Sequence, residues 1–140
     1  MSAILGACTG WDFNMFETIT AAKTLYKKDS GKVFMLSSAG GAYSITIDSS
    51  LKVAGAKLKF IVDENTPTGD ITIAFGSAIV YGSLSVQSDT AEDNRVACAG
   101  KSNVLIDTVA LKGDNLVCTC DGTYWYVDGM SCYQGGFTTS

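Results

Sequence analysis

Five cysteines and no histidine bound the chemistry open to this 140-residue chain. Cys118 and Cys120 are two positions apart, which places both thiols on one face of a strand. With Cys98 and Cys132 they could make a four-thiolate zinc site. Structural zinc sites, however, pair their cysteines across about two to four intervening residues, twice over. Here there is one C-x-C and no second pair, so the competing reading is four small buried hydrophobes. Cys8 could bridge to a neighbouring subunit in an oxidising medium, and the odd count argues against a complete internal disulfide framework. Without histidine, a Ser-His-Asp or Cys-His site would need an imidazole from a partner.

The acidic residues give two further candidates. Asp89, Glu92, Asp93 and Asn94 could offer oxygen ligands to Ca²⁺, but they lack EF-hand spacing and a loop glycine, so a solvated surface loop is the expected reading. Asp63 and Glu64 are sequence neighbours, whereas glycoside hydrolysis needs two carboxylates facing each other across a cleft. Gly40-Gly41 neither opens a helix nor precedes Lys-Ser/Thr, so it is a loop and not a phosphate cradle. Tyr124, Trp125, Tyr126, Tyr133 and Phe137 form an aromatic patch. Such residues suit an interface or a sugar face. In a strand, Trp125 points away from Tyr124 and Tyr126, so one face packs inward and the other faces outward.

Composition frames these candidates. Charged residues make up 17% of the chain, against a usual figure of about 25%. Mean hydropathy is +0.20, the net charge is −4 and the isoelectric point is about 4.6. A nucleic-acid partner is not expected from that balance. Neither is a membrane partner, since no apolar run nears the ~20 residues of a spanning helix. The longest, residues 71–81, is broken by Thr72, Gly76 and Ser77. The first residues lack a basic region and a hydrophobic stretch, so a secretion signal is not expected. Synthesis in a cytoplasm, with reduced thiols, is the expectation. No cofactor is implied. The shortage of charge points to surface covered by other chains.

The elements that would carry these residues are short strands. Residues 43–47, 56–62 and 71–75 alternate apolar and polar, aiming Tyr43, Ile45, Ile47, then Leu58, Phe60, Val62, then Ile71, Ile73, Phe75 to one side. Residues 33–36, 78–86 (one bent strand, or two divided near Gly82), 95–99, 102–108 and 123–127 read the same way. Residues 112–115 read as a hairpin turn between 109–111 and 116–120, and Asp121-Gly122 as a type I′ hairpin. Residues 21–28 could form a helical turn. Strands at this spacing predict an all-β, single-domain antiparallel β-sandwich, jelly-roll-like, with an irregular N-terminal arm. The expected divisions are an arm at 1–17, a β-sandwich domain at 18–129 and a C-terminal tail at 130–140.

Several phrases resemble a family of small bacteriophage structural proteins. They are Thr18-Ile-Thr-Ala-Ala-Lys-Thr-Leu25, Asp29-Ser-Gly-Lys-Val-Phe-Met-Leu36, Gly41-Ala-Tyr-Ser-Ile-Thr-Ile47, Gly55-Ala-Lys-Leu-Lys-Phe-Ile-Val62, Asp70-Ile-Thr-Ile73 and Asp121-Gly-Thr-Tyr-Trp-Tyr-Val-Asp-Gly129. In order and spacing they are similar to head decoration (cement) proteins, and related phrases occur in fibre-like virion proteins. The chain departs from the pattern after Ile47, where Asp48-Ser-Ser stands in place of the usual proline, and in its five cysteines. The resemblance implies a non-enzymatic virion protein, made in the host cytoplasm, that sits on the capsid surface. It would bind between major capsid protein subunits as a homotrimer. No catalytic residue is carried over.

An interface is expected on the arm, through Ile4, Leu5, Trp11, Phe13 and Phe16, and on the C-terminal aromatics Tyr124, Tyr126 and Tyr133. The arm residues could equally fold back on their own domain. The alternative function is a fibre or spike head that binds a host glycan through the tyrosines, although 140 residues leave no room for a shaft.

Overall fold

The computed structural model describes residues 15–64, 67–87 and 95–140. Among them are twelve strands: β1 (Phe16–Ile19), β2 (Lys23–Leu25), β3 (Val33–Leu36), β4 (Tyr43–Ile47), β5 (Ala54–Val62), β6 (Ile71–Ala74), β7 (Val80–Val86), β8 (Arg95–Ala97), β9 (Asn103–Ile106), β10 (Asn115–Asp121), β11 (Trp125–Ser131) and β12 (Phe137–Thr139). Two sheets pack as a sandwich. One has the order β1-β3-β5-β10-β11-β7-β8, the other β12-β9-β6-β4-β2. Among the described residues no helix is long and apolar enough to cross a membrane.

The first six strands alternate between the sheets. β1, β3 and β5 lie in one and β2, β4 and β6 in the other, so each return lays the next strand in the same direction as the last. Their pairings are parallel, with Phe16 beside Val33 beside Lys59, and Lys23 beside Ile45 beside Ile73. β11 and β7 are also parallel. The remaining five pairings between strands are antiparallel. This mixed winding corrects the antiparallel, jelly-roll-like arrangement expected from the sequence. Period-two alternation reports which face of a strand is buried, and that pattern is the same for either strand direction.

The inward faces are those the alternation identifies. Ile45, Leu58, Phe60, Val62, Ile71 and Ile73 are buried between the sheets with Phe34, Trp125 and Phe137. Phe34 stacks on Phe60, and Phe75 lies tilted against Trp125, each pair 5.5 Å apart at the ring centres. Offset or tilted contacts of this kind suit the charge distribution of the rings. The sheets take in Phe16 and Glu17 at one end and Phe137–Thr139 at the other, past the expected boundaries at 18 and 129.

Three local expectations change. Residues 21–28 hold β2 and a 3-10 turn at Lys27–Asp29 in place of an α-helical turn. Residues 112–115 do not join a hairpin, because β9 and β10 lie in different sheets. Asp121-Gly122 does join one, β10 to β11, but Asp121 lacks the positive φ a type I′ turn needs. Its carboxylate instead accepts the Thr123 and Tyr124 N–H groups, both at 2.7 Å. Local side-chain bonding of this kind is a common turn device for aspartate.

Candidate functional site

Strand register places the outward residues of the seven-stranded sheet in rows. One row runs Phe16, Val33, Lys59, Val117, Asp128, Ser83 across six strands. The next runs Thr18, Met35, Ile61, Asn115, Met130, Ser85. A third, shorter row is Lys57, Thr119, Tyr126, Tyr81. Phe16 is 62% exposed and Met130 63%, with Val117 and Tyr126 also exposed. These large apolar groups lie on one continuous sheet face, which is the setting in which exposed apolar surface marks an interaction site. Lys57 and Lys59 stand on one side of β10 and Asp128 on the other. Gly31, Val33, Lys57, Lys59 and Val117 surround a shallow depression of about 200 Å³ on that face. It has an apolar floor and a rim of lysines.

A tyrosine cluster occupies one end of this face. Tyr124 meets Tyr81 edge-on at 5.1 Å. The Tyr126 hydroxyl donates to the Asp121 carboxylate at 3.1 Å. That hydrogen bond, together with burial and nearby charge, pushes the Tyr126 phenol up, while the Tyr124 and Thr123 N–H groups hold the Asp121 carboxyl below its usual range. Tyr126 therefore stays a neutral donor. Tyr81 is the member that sequence reasoning missed, since only the parallel β7–β11 register sets it beside Tyr126.

The other expected residues are dispersed. Tyr133 follows the far end of β11, a strand of seven residues and so about 20 Å from the cluster. It lines a separate open cleft of about 610 Å³ with Gln87, Leu111, Cys132 and Gln134. Phe16 is on the sheet face, at its β1 edge. Ile4, Leu5, Trp11 and Phe13, together with Cys8 and the acidic group Asp89, Glu92, Asp93 and Asn94, lie outside the described residues.

Cys98, Cys118 and Cys120 are buried as free thiols, while Cys132 is exposed. Among the described residues no group of three or more Cys, Asp or Glu is placed to hold a metal ion. Burial, then the neighbouring Cys98, raises the Cys118 thiol well above its usual value, and burial raises Cys98 to about 11. Asp114 raises Cys132, first by hydrogen bonding and then by its charge. Glu64 is a loop staple: its carboxylate accepts from the Ser38 N–H and from the Ser37 and Ser38 hydroxyls. Its neighbour Asp63 pairs with Lys112 at 3.6 Å.

No family model matches the chain, and no curated protein matches it.

Proposed function

We propose that the chain is a non-enzymatic phage virion structural protein, a decoration or cement protein. It binds between major capsid protein subunits on the virion surface and stabilises the head. The observation that carries this reading is the seven-stranded sheet's outer face, with Val117, Tyr126 and Met130 exposed near its centre and Phe16 at its β1 edge. A rigid sheet that keeps its rows in register meets a partner with little loss of conformational freedom. The resemblance of the strand and turn phrases to head decoration proteins supports the same reading. The lysine-rimmed depression suits a partner side chain that is apolar and flanked by a carboxylate. Assembly as a homotrimer would multiply such contacts and raise avidity.

Copy number in purified virions tests the proposal. Hundreds of copies per head is the expected result. A dozen or fewer would overturn it.

A low count would favour the second reading, a fibre or spike head. The specific observation for that reading is the Tyr81, Tyr124, Tyr126 and Asp121 cluster, since exposed aromatic faces beside a carboxylate suit a sugar. Tyr126→Ala would then abolish host adsorption. Under the decoration reading adsorption is unchanged.

A further inference from the structure

At the end of the sandwich where β4 finishes and the β6–β7 loop turns back, the two sheets part. A cleft of about 300 Å³ opens there, walled by Ile47, Phe75, Ile79 and Trp125. This is the small end of the range for ligand sites. Asp48, Ser49, Lys52 and Ser77 stand on its lining as well.

Two independent features mark this cleft. Trp125 is fully buried, and its indole Nε1–H has no acceptor among the described residues. A buried tryptophan N–H usually has a partner, and one that lacks it calls for an explanation. The second feature is the loop from Phe75 to Ile79. Ala78 holds a φ of 53°, the one non-glycine residue among those described with positive φ. Left-handed backbone at a β-carbon-bearing residue is strained, and such strain gathers at ligand clamps. The Ile79 side chain folds over Gly76, where an added Cβ would meet its Cδ1 at 3.3 Å. The Ile79 carbonyl is fixed by the Trp125 backbone N–H at 2.9 Å, and its half-buried side chain packs against the core, so opening here turns the side chain and not the backbone.

We propose that this cleft takes a single sugar ring, whose hydroxyl or ring oxygen accepts from Trp125 Nε1–H when Ile79 swings aside. The C–H face of the ring lies on Ile47 and Phe75. Its outer hydroxyls meet both donors and acceptors at Asp48, Ser49, Lys52 and Ser77. That mixture matches a polyol, whose hydroxyls do both. A phosphate would meet the Asp48 carboxylate, and a long acyl chain exceeds the space. The inference is independent of the capsid reading, because the cleft lies at the end of the sandwich and not on its sheet face.

The test is nuclear magnetic resonance of the full chain, ¹⁵N-labelled, with Trp11→Phe leaving Trp125 as the sole indole. D-glucose, D-galactose and D-mannose are each titrated to millimolar concentrations, with glycerol as the control polyol. The expected result is a saturable shift of the Trp125 indole N–H for at least one hexose. Ser77→Phe, which plugs the mouth, abolishes it. Lys52→Ala weakens binding about tenfold, the value of one charge-assisted hydrogen bond. No shift with any hexose overturns the proposal. So does an equal, unsaturable shift with glycerol, or an indole N–H that contacts only a bound water. Should Trp11→Phe fail to fold, the natural chain serves, the Trp125 indole being the signal that Ser77→Phe moves.

Discussion

The Ser131 hydroxyl donates to the Asp114 carboxylate at 2.8 Å, across 17 residues of chain, and both residues are buried. The same carboxylate accepts the Leu111 N–H at 3.0 Å and the Cys132 N–H at 3.1 Å. One side chain thereby fixes the turn before β10 and the end of β11, which set the position of the large cleft's wall. Asp114→Ala leaves the part-buried Leu111 and Cys132 N–H groups without this acceptor, while the Ser131 hydroxyl keeps only the Tyr133 carbonyl at 3.2 Å. The expected loss is about 3 kcal/mol or more, against about 1 kcal/mol for Ser131→Ala. Urea unfolding of the two variants measures both. Equal losses would show that the carboxylate does no more than hold Ser131.

Gly82 makes a second, purely steric prediction. Its φ is +109°, and a Cβ built there would lie 2.1 Å from the Val127 carbonyl oxygen. Gly113 has a similar φ of +99° but open space around it. Gly113→Ala should therefore cost about 1 kcal/mol, the backbone strain alone. Gly82→Ala must also push β7 away from β11, and should exceed about 3 kcal/mol. Thermal unfolding of the pair separates strain from clash. Similar melting temperatures would show that β7 and β11 are not so closely apposed at this row.

Acid sensitivity should centre on the edge where the sheets meet. Burial raises the Asp29 carboxyl, but the Tyr26 N–H at 2.9 Å and the Lys32 ammonium at 2.9 Å outweigh it, so the net shift is downward. Lys32 and Lys23 also reach Glu17, which ties β1 to β2 and to the chain before β3. With its folded value depressed, Asp29 binds a proton more readily in the unfolded chain. Its stabilisation is complete above the unfolded value near 4 and is lost as pH falls through the folded one. Asp29→Asn should flatten the fall in stability below about pH 4. An unchanged acid limb would place the sensitivity elsewhere.

Thiol chemistry gives a prediction that needs no variant beyond Cys8→Ser. In the native state a thiol reagent should label Cys132 alone and leave Cys98, Cys118 and Cys120 untouched, because burial blocks access to all three and disfavours the thiolates of Cys98 and Cys118. Reaction at Cys132 should itself be slow near neutral pH, since Asp114 raises its thiol. In denaturant all four should react at one rate. Rapid native labelling of Cys118 would show that the two sheets part readily around β10.

The inward faces of β4, β5 and β6 were legible in the sequence because Ile45, Leu58 and Ile71 alternate with polar neighbours. The same alternation set Trp125 opposite Tyr124 and Tyr126, and the structure buries the tryptophan side. Strand direction was not legible. Thr24 in β2 and Thr46 in β4 sit on adjacent strands that a sequence cannot distinguish as parallel or antiparallel, since burial fixes only the face. β2 itself was hidden by its length of three residues. The candidate site was half legible for the same reason. Tyr124 and Tyr126 are local, whereas Tyr81 and Met35 join the face through partners far along the chain.

The contact role of that face can be tested at its centre. Val117 lies between Lys59 and Asp128 in one row, so the face carries apolar area with opposite charges on either side. Val117→Glu adds a charge on an outward position and should leave folding stability within about 0.5 kcal/mol, the usual range for surface changes. If the chain is a decoration protein, the substitution should nevertheless abolish binding to capsids, because a charge buried in an apolar contact loses its hydration without a partner. Asp128→Lys should weaken the same contact while strengthening its dependence on salt, since a row with one sign of charge repels or attracts over the screening length. Sedimentation of mixtures of capsid and protein reads both. If Val117→Glu binds with full occupancy, the outer face of the seven-stranded sheet is not the capsid contact, and residues 1–15, which precede β1, become the segment to delete.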